Sequence, residues 1–89
     1  MNAIITVVGH DKVGLIAKVS GMLAEYNINI IDISQTILSG NFVMMMMVDL
    51  SASSIPLSGV KEKLDGMGES LGVSISMQHE RVFNAMHRI

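Results

Sequence analysis

The residues best suited to chemistry in this 89-residue chain lie in one short loop near the N-terminus. The loop runs from Gly9 to Gly14, between an apolar segment and a predicted helix. Unpaired N–H groups and the helix dipole favour a carboxylate at such a position, and the two glycines allow close approach to a ligand. Asp11 adds a carboxylate that can meet an ammonium group. The loop therefore fits a small zwitterion.

The same loop also has a purely structural interpretation. Asp11 is a good N-cap candidate for the following helix, because its side chain can accept hydrogen bonds from backbone N–H groups of the first turn. Gly14 can serve only to pack the helix start against a sheet. Two glycines with four residues between them are a weak signal, so the spacing alone leaves both interpretations open.

The remaining residue patterns give little support for catalysis or metal binding. His10 and Asp11 are adjacent, so at a strand end their side chains point apart and form no acid–base pair. His79 and His87 can reach one metal only if the C-terminal tail folds back, and isolated histidines are more often ordinary residues. The nine methionines favour adaptable core filling over a copper or peptide surface. The sequence predicts no catalytic residue, no metal and no cofactor, and therefore no enzyme.

Composition limits the partners and the compartment. The formal net charge is −2 and the only arginines are Arg81 and Arg88, so the chain lacks the basic stripe of a nucleic-acid binder. The longest apolar run, Phe42–Val48, has seven residues, whereas roughly 20 span a bilayer. No cationic segment precedes the first apolar stretch, and the absence of cysteine gives no sign of an oxidising compartment. We expect a soluble, cytoplasmic protein that binds neither nucleic acid nor membrane.

The elements that must position the loop begin with a strand. Ala3–Val8 is almost entirely apolar and β-branched, which predicts a strand covered on both faces. The next apolar residues recur at helical spacing: Ile16, Val19, Leu23 and Tyr26. Asn29–Ser39 and Phe42–Leu50 then read as two strands, and the turn at Ser39-Gly40-Asn41 predicts that they form a hairpin.

The second half of the chain repeats the pattern of the first. Pro56 favours the first turn of a helix, and an apolar stripe follows it: Val60, Leu64, Met67 and Leu71. Val73–Met77 alternates as a fourth strand. The order βαββαβ predicts an α+β ferredoxin-like sandwich, a four-stranded antiparallel sheet with two helices on one face. Residues 1–79 would form this domain, and residues 80–89 a short tail helix that packs on the sheet or on a dimer partner.

The third strand is apolar on both faces. One face carries Phe42, Met44, Met46, Val48 and Leu50, and the other carries Val43, Met45 and Met47. Two helices cover only one face of the sheet, and a bare apolar patch of this size is uncommon on a soluble monomer. We therefore expect a homodimer. The tail residues Phe83 and Met86 are further candidates to cover the second face.

Several other functions of this topology lack the residues that their chemistry requires, since a fold does not determine function. Acylphosphatases need an arginine in the first loop, and here none precedes Arg81. RNA-recognition modules stack bases on strand aromatics, but here Tyr26 lies on a predicted helix, Phe42 at a strand start and Phe83 in the tail. Metal-transport domains use a Cys-x-x-Cys loop, and the chain has no cysteine.

Two segments resemble the signature of ACT domains, regulatory modules found beside amino-acid metabolic enzymes and also alone. They are Val8–Ile16, with the sequence VGHDKVGLI, and Asn27–Ile30, with the sequence NINI. The resemblance covers the chain from about Ala3 to Gln78. The ending FNAMHRI and the segment DISQT at Asp32–Thr36 are similar to a small group of stand-alone bacterial and archaeal ACT proteins of unassigned role.

The resemblance implies a dimer that binds an effector, usually an amino acid, at the interface between its subunits. It also implies an unidentified regulated protein. The first loop would supply one wall of the site and the start of the second strand the other. The ligand-binding residues implied in this way are Gly9, His10, Asp11, Lys12, Val13, Gly14, Leu15 and Asn29.

Individual roles follow from the same resemblance. Asp11 matches a position that is often Asn or Asp and holds polar groups of the ligand, and Gly14 matches a glycine that lets the helix start approach it. Asn29 matches an asparagine that, in some members, reaches the ligand from the other subunit. Gly9 stands where some serine-binding members carry a histidine, and His10 beside it is a potential substitute. The alternative is a structural or protein-interaction dimer with a vestigial ligand site, which the apolar second face and Met-rich strand favour.

Overall fold

The computed structural model describes residues 1–10 and 14–82. Its elements, in chain order, are β1 (Asn2–Gly9), α1 (Leu15–Glu25), β2 (Asn29–Leu38), β3 (Asn41–Asp49), α2 (Leu57–Leu71) and β4 (Ser74–His79). The four strands pair antiparallel in the order β2-β3-β1-β4. This arrangement confirms the predicted ferredoxin-like fold. A further helical turn covers residues 80–82.

The core lies between the helices and one face of the sheet. The central strands β1 and β3 supply alternate residues that are almost fully buried there: Ala3, Ile5, Val7, Phe42, Met44, Met46 and Val48. The helices contribute their own buried residues to the same cluster, among them Leu15, Val19, Leu23, Val60 and Leu64. As predicted, the odd and even residues of β3 separate, and Val43, Met45 and Met47 are only half-buried on the opposite face.

The β2–β3 hairpin forms where the turn residues predict it. Leu38 pairs with Asn41 across a two-residue loop, and Ser39 and Gly40 both have positive φ, 53° and 79°. Two positive φ values in succession match the right-handed twist of the flanking strands. The tight turn fixes the register of β2 against β3, and that register decides where Asn29 lies.

Strand β2 is an outer strand that the helices leave largely uncovered. Ile33 and Ile37 pair with Met46 and Phe42 and so share the helix side of the sheet, as their spacing predicts. They are nevertheless 37 % and 64 % exposed. Strict alternation along β2 would put Ile31 on the same face, but Ile31 is the extra residue of a β-bulge, where two residues of one strand oppose one of the other.

Two glycines of α2 make a matched pair for testing how the helix packs on β4. A Cβ on Gly68 would lie 2.9 Å from the carbonyl oxygen of Val73, whereas a Cβ on Gly66 meets nothing within 4 Å. Gly68→Ala should therefore lower the free energy of unfolding by about 1–3 kcal/mol through overpacking. Gly66→Ala should raise it by about 0.5–1 kcal/mol through helix propensity. Urea unfolding of both variants measures these changes. Equal changes in the free energy of unfolding would contradict the close packing of Gly68.

Neither α1 nor α2 is long and apolar enough to cross a membrane, and residues 80–82 add only one helical turn. The rest of the expected tail helix, including Phe83 and Met86, lies outside the described residues. The division into a domain of residues 1–79 and a tail of residues 80–89 stays a prediction.

Candidate functional site

The first loop connects the end of a central strand to the start of α1. Gly9 is buried and pairs with Phe42, while His10, the next residue, is exposed. Asp11, Lys12 and Val13 lie outside the described residues. The predicted loop therefore sits at one end of the sheet, with His10 open to solvent beside it.

The start of α1 differs from the expectation that Asp11 caps it. The helix begins at Leu15, and its N-cap is Gly14, with φ 71° and no side-chain hydrogen bond to the cap. A Cβ at Gly14 would touch nothing within 4 Å, so the left-handed backbone, not close packing, requires glycine there. Gly14 O accepts the first helical bond, from Lys18 N at 3.0 Å. Buried Leu15 anchors this end of the helix.

The start of α1, which no side chain of residues 1–10 and 14–82 caps, is chemically suited to an anion. The first N–H groups of a helix have no intrahelical acceptor, and the first turn of α1 contains no acidic residue. Because no side chain of the described residues caps these groups, a ligand carboxylate can take that place.

Asn29 is positioned by the way α1 ends. Asn27 has φ 61°, and the N–H groups of Asn27 and Ile28 donate to the carbonyls of Ala24 and Leu23 at 3.1 and 2.8 Å. These bonds form a Schellman motif, which stops the helix and turns the chain into β2. Exposed Asn29 is the first residue of that strand.

Asp49 is the polar residue that sequence reasoning missed at this end of the sheet. It pairs with Asn29 across β2 and β3, and no local pattern reveals such a contact before the register is known. The side-chain hydroxyl and then the backbone N–H of Ser51 donate to Asp49 Oδ1 at 2.6 and 2.9 Å. They hold the pKa of Asp49 below its usual value. The carboxylate therefore stays charged beside an open cavity of about 500 Å³ that Asn27, Asn29 and Asp49 help to line.

Within one chain, the two halves of the expected site are far apart. Gly9, Phe42 and Ile37 form a row across one end of the sheet, and Asn29 shares a row with Asp49 at the other end. The seven residue steps from Phe42 to Asp49 correspond to about 24 Å at 3.4 Å per residue. A single chain does not bring Asn29 to the first loop.

Metal-ligating side chains do not cluster in the described part of the chain. In residues 1–10 and 14–82, no three His, Cys, Asp or Glu side chains lie close enough together to hold an ion. His79 Nδ1 accepts a hydrogen bond from the backbone N–H of Arg81 at 3.0 Å. His87 lies outside the described residues.

A groove lies between the two helices. It has a volume of about 460 Å³ and is lined by Met22, Tyr26, Lys63 and Met67, among others. Lys63 Nζ lies 5.9 Å from the centre of the Tyr26 ring, within range of a cation–π contact. That contact gives both side chains a structural role.

Comparisons with known proteins agree with the observed fold. Over its full length, the chain is 56 % identical to the whole UPF0237 protein of Clostridium acetobutylicum. Its fold matches an ACT domain protein from Streptococcus pneumoniae with a TM-score of 0.82 and 44 % identity, over 98 % of each chain. It also matches a formyltetrahydrofolate deformylase from Pseudomonas syringae with a TM-score of 0.77 and 25 % identity, over 86 % of this chain but 26 % of the other.

The family assignment covers nearly all of the described fold. The sequence profile of the ACT domain matches residues 2–78, from the first residue of β1 to the penultimate residue of β4. Together with the full-length relatives, this match shows that the chain belongs to the ACT domain family, a family of regulatory ligand-binding domains.

Proposed function

We propose that the protein is a cytoplasmic amino-acid sensor without catalytic activity, whose effector binds between two copies of the chain. The single observation that carries the proposal is the separation of the first loop from Asn29 at opposite ends of the sheet. If both contribute to one site, as the family resemblance implies, that site needs a second copy.

The outer edge of β2 is the surface best suited to receive that copy. In the order β2-β3-β1-β4, β2 has a neighbour on one side only. It is ten residues long and carries no lysine or proline, the residues that commonly protect exposed edges. Four of its large apolar side chains are exposed: Ile31, Ile33, Ile37 and Leu38. Pairing with a second β2 would satisfy the free backbone groups and cover these side chains.

Antiparallel pairing of two β2 strands brings the halves of the site together. A two-fold axis between the centres of the two β2 strands places Asn29 of the second copy beside Leu38 of the first. Leu38 lies at the end of the sheet that also carries Gly9. Helix α1 packs on the β2 side of the helix layer, and α2 packs on β4. The start of α1 therefore faces the same junction.

The chemistry of that junction suits both charges of an amino acid. The N–H groups at the start of α1, which no described side chain caps, favour the ligand carboxylate. Asp11 offers a carboxylate for the ammonium group, and the Asn29 amide can both donate and accept. Two such sites per dimer follow from the symmetry.

A thermal-shift panel of the common amino acids at millimolar concentration tests this function. A ligand present at 100 times its Kd adds about 2.7 kcal/mol of stability, and each kcal/mol moves the midpoint of a domain this small by roughly 4–8 °C. We expect one or two amino acids to raise the midpoint by several degrees. Asn29→Ala should abolish that shift, whereas Ser76→Ala, a matched change on the distant strand β4, should leave it intact.

Two outcomes would contradict the sensor. One is a flat panel, and the other is a shift that Asn29→Ala leaves unchanged. A flat panel together with one stoichiometric protein partner would favour the second candidate, an interaction dimer with a vestigial site. The exposed apolar side chains of β2 favour that candidate, because they can form an interface without any ligand.

A further inference from the structure

The groove between the helices follows from the width of the sheet. Helix α1 packs on β2 and α2 packs on β4, and these are the two outer strands. The three strand spacings between them amount to about 14 Å, whereas closely packed helices lie about 8–10 Å apart. The space left between the helices has a volume of about 460 Å³, which is in the usual range of small-molecule sites.

The two helices supply the walls of the groove in opposite directions. Each helix runs back along the sheet from the strand before it, and β1 and β3 are antiparallel, so α1 and α2 are antiparallel too. Residues four apart lie on one face of a helix. Each wall contains three such residues: Lys18, Met22 and the C-cap Tyr26 along α1, and Lys63, Met67 and Leu71 along α2. Because Lys63 contacts Tyr26, the two methionines lie at the centre and Leu71 lies opposite Lys18.

One end of the groove is closed and the other is open. Lys63 reaches from α2 across to α1, where its Nζ lies 5.9 Å from the centre of the half-buried Tyr26 ring. Eight residues along α1, about 12 Å away, Lys18 and Ser70 are exposed at the other end. A helix from another protein could not run through a groove that is closed at one end. The groove therefore suits a small molecule that enters beside Lys18.

The groove is locally cationic, although the whole chain has a net charge of −2. Among the described residues, two lysines and one acidic residue, Glu25, line it, which leaves a charge of +1. Glu25 is next to Tyr26 in the chain and so lies near the closed end. Lys18 is then the cation of the open end, where the Ser70 hydroxyl can also donate a hydrogen bond. This end suits an anionic group of a ligand.

The centre of the groove suits an aromatic ring. Met22 is only 8 % exposed, and Met67 opposite it is half-buried. Methionine side chains are flexible, and their sulfur atoms make favourable contacts with aromatic rings. Tyr26 adds a further ring at the closed end, where aromatic pairs can pack edge to face. An aromatic ring therefore gains contacts here that an aliphatic chain does not.

We propose that this groove binds an aromatic carboxylate. The carboxylate lies at the open end, where Lys18 and Ser70 donate to it, and the ring lies between Met22 and Met67. All of these residues belong to one chain, so the site is complete without a second copy. It is separate from the proposed amino-acid site, and the proposal does not depend on that function.

Methyl NMR of the nine methionines tests the location of the ligand. The probe is phenylbutyrate at millimolar concentration, and single Met→Leu variants assign the signals. Ring currents of the probe should shift the methyl signals of Met22 and Met67. Met45 and Met47, half-buried on the opposite face of the sheet, are internal controls and should keep their positions. Unshifted Met22 and Met67 signals, or equal shifts at Met45 and Met47, would overturn the proposal.

A charge reversal tests the role of Lys18. Lys18→Glu should weaken phenylbutyrate binding at least about two- to fivefold, the value of one exposed ion pair. It should strengthen the binding of phenylbutylamine, which has the same ring and chain but carries an ammonium group. Lys61→Glu is the matched control, since Lys61 is exposed on α2 and does not line the groove. A preference for the carboxylate that Lys18→Glu leaves unchanged would contradict the proposal.

Octanoate tests the aromatic part of the proposal. It has a carboxylate and a similar length, but its apolar body is aliphatic. Loss of the contacts between sulfur and the ring should make it bind about two- to tenfold more weakly than phenylbutyrate. Equal or tighter binding of octanoate would overturn the assignment of an aromatic ligand.

Discussion

Lysine at both Ile33 and Ile37 should convert the proposed dimer into a monomer. Both side chains lie on the outer strand, on the helix side, and are 37 % and 64 % exposed, so their replacement leaves the core intact. Pairing of two β2 strands would bury them, and full burial of an isoleucine contributes about 1.5–3 kcal/mol. Two isoleucines at the lower value of about 1.5 kcal/mol each contribute about 3 kcal/mol to dimer stability. Loss of this contribution raises the dimer dissociation constant at least about 100-fold. Burial of the new charges adds to this cost.

Sedimentation velocity over a range of concentrations measures the effect. Ser74→Lys is the matched control, since it places a lysine at an exposed position on β4, the other outer strand. The control should sediment like the unmodified protein, and circular dichroism should show that both variants are folded. A double-lysine variant that remains dimeric at the same concentrations would exclude the β2 edge as the interface.

The elements of this fold could be predicted because each has a local chemical cause. The turn at Ser39-Gly40 is one example, since a small residue followed by glycine tolerates the two positive φ values found there. The apolar stripe of α2 is another, because Val60 and Leu64 recur at the helical period and are buried as expected. The order of such elements then leaves few possible topologies.

The start of α1 shows where local reasoning fails. Asp11 is a residue type that commonly caps helices, but the helix begins four residues later, after the left-handed backbone of Gly14. A glycine near a helix start is compatible with several conformations, so the sequence does not reveal which residue ends the loop. The bulge at Ile31 was equally unpredictable, because one unpaired residue leaves no mark in an isoleucine-rich strand.

The residues of the candidate site were visible in the sequence, but their arrangement was not. Asn29 and the first loop stand out by residue type and family resemblance, whereas their separation depends on the register of β1 and β2 against β3. The same register places Asp49 beside Asn29, a contact between residues twenty positions apart. Long-range pairing of this kind is set by the whole sheet and not by any short segment.

The central claim is that each site combines the loop of one copy with Asn29 of another. Two variants that disable different halves, Asp11→Ala and Asn29→Ala, should each bind no effector alone. In a mixed dimer, one site combines both defects, and the other combines the intact loop with the intact Asn29. Random exchange makes half of the dimers mixed, so about a quarter of all sites should recover.

The decisive measurement is isothermal titration of the equimolar mixture with the effector found in the panel, after subunit exchange. A differently tagged copy of each variant confirms that mixed dimers have formed. We expect binding at about a quarter of the unmodified site number, with an affinity close to that of the unmodified protein. A mixture that contains mixed dimers and still binds no effector would contradict a site shared between two copies.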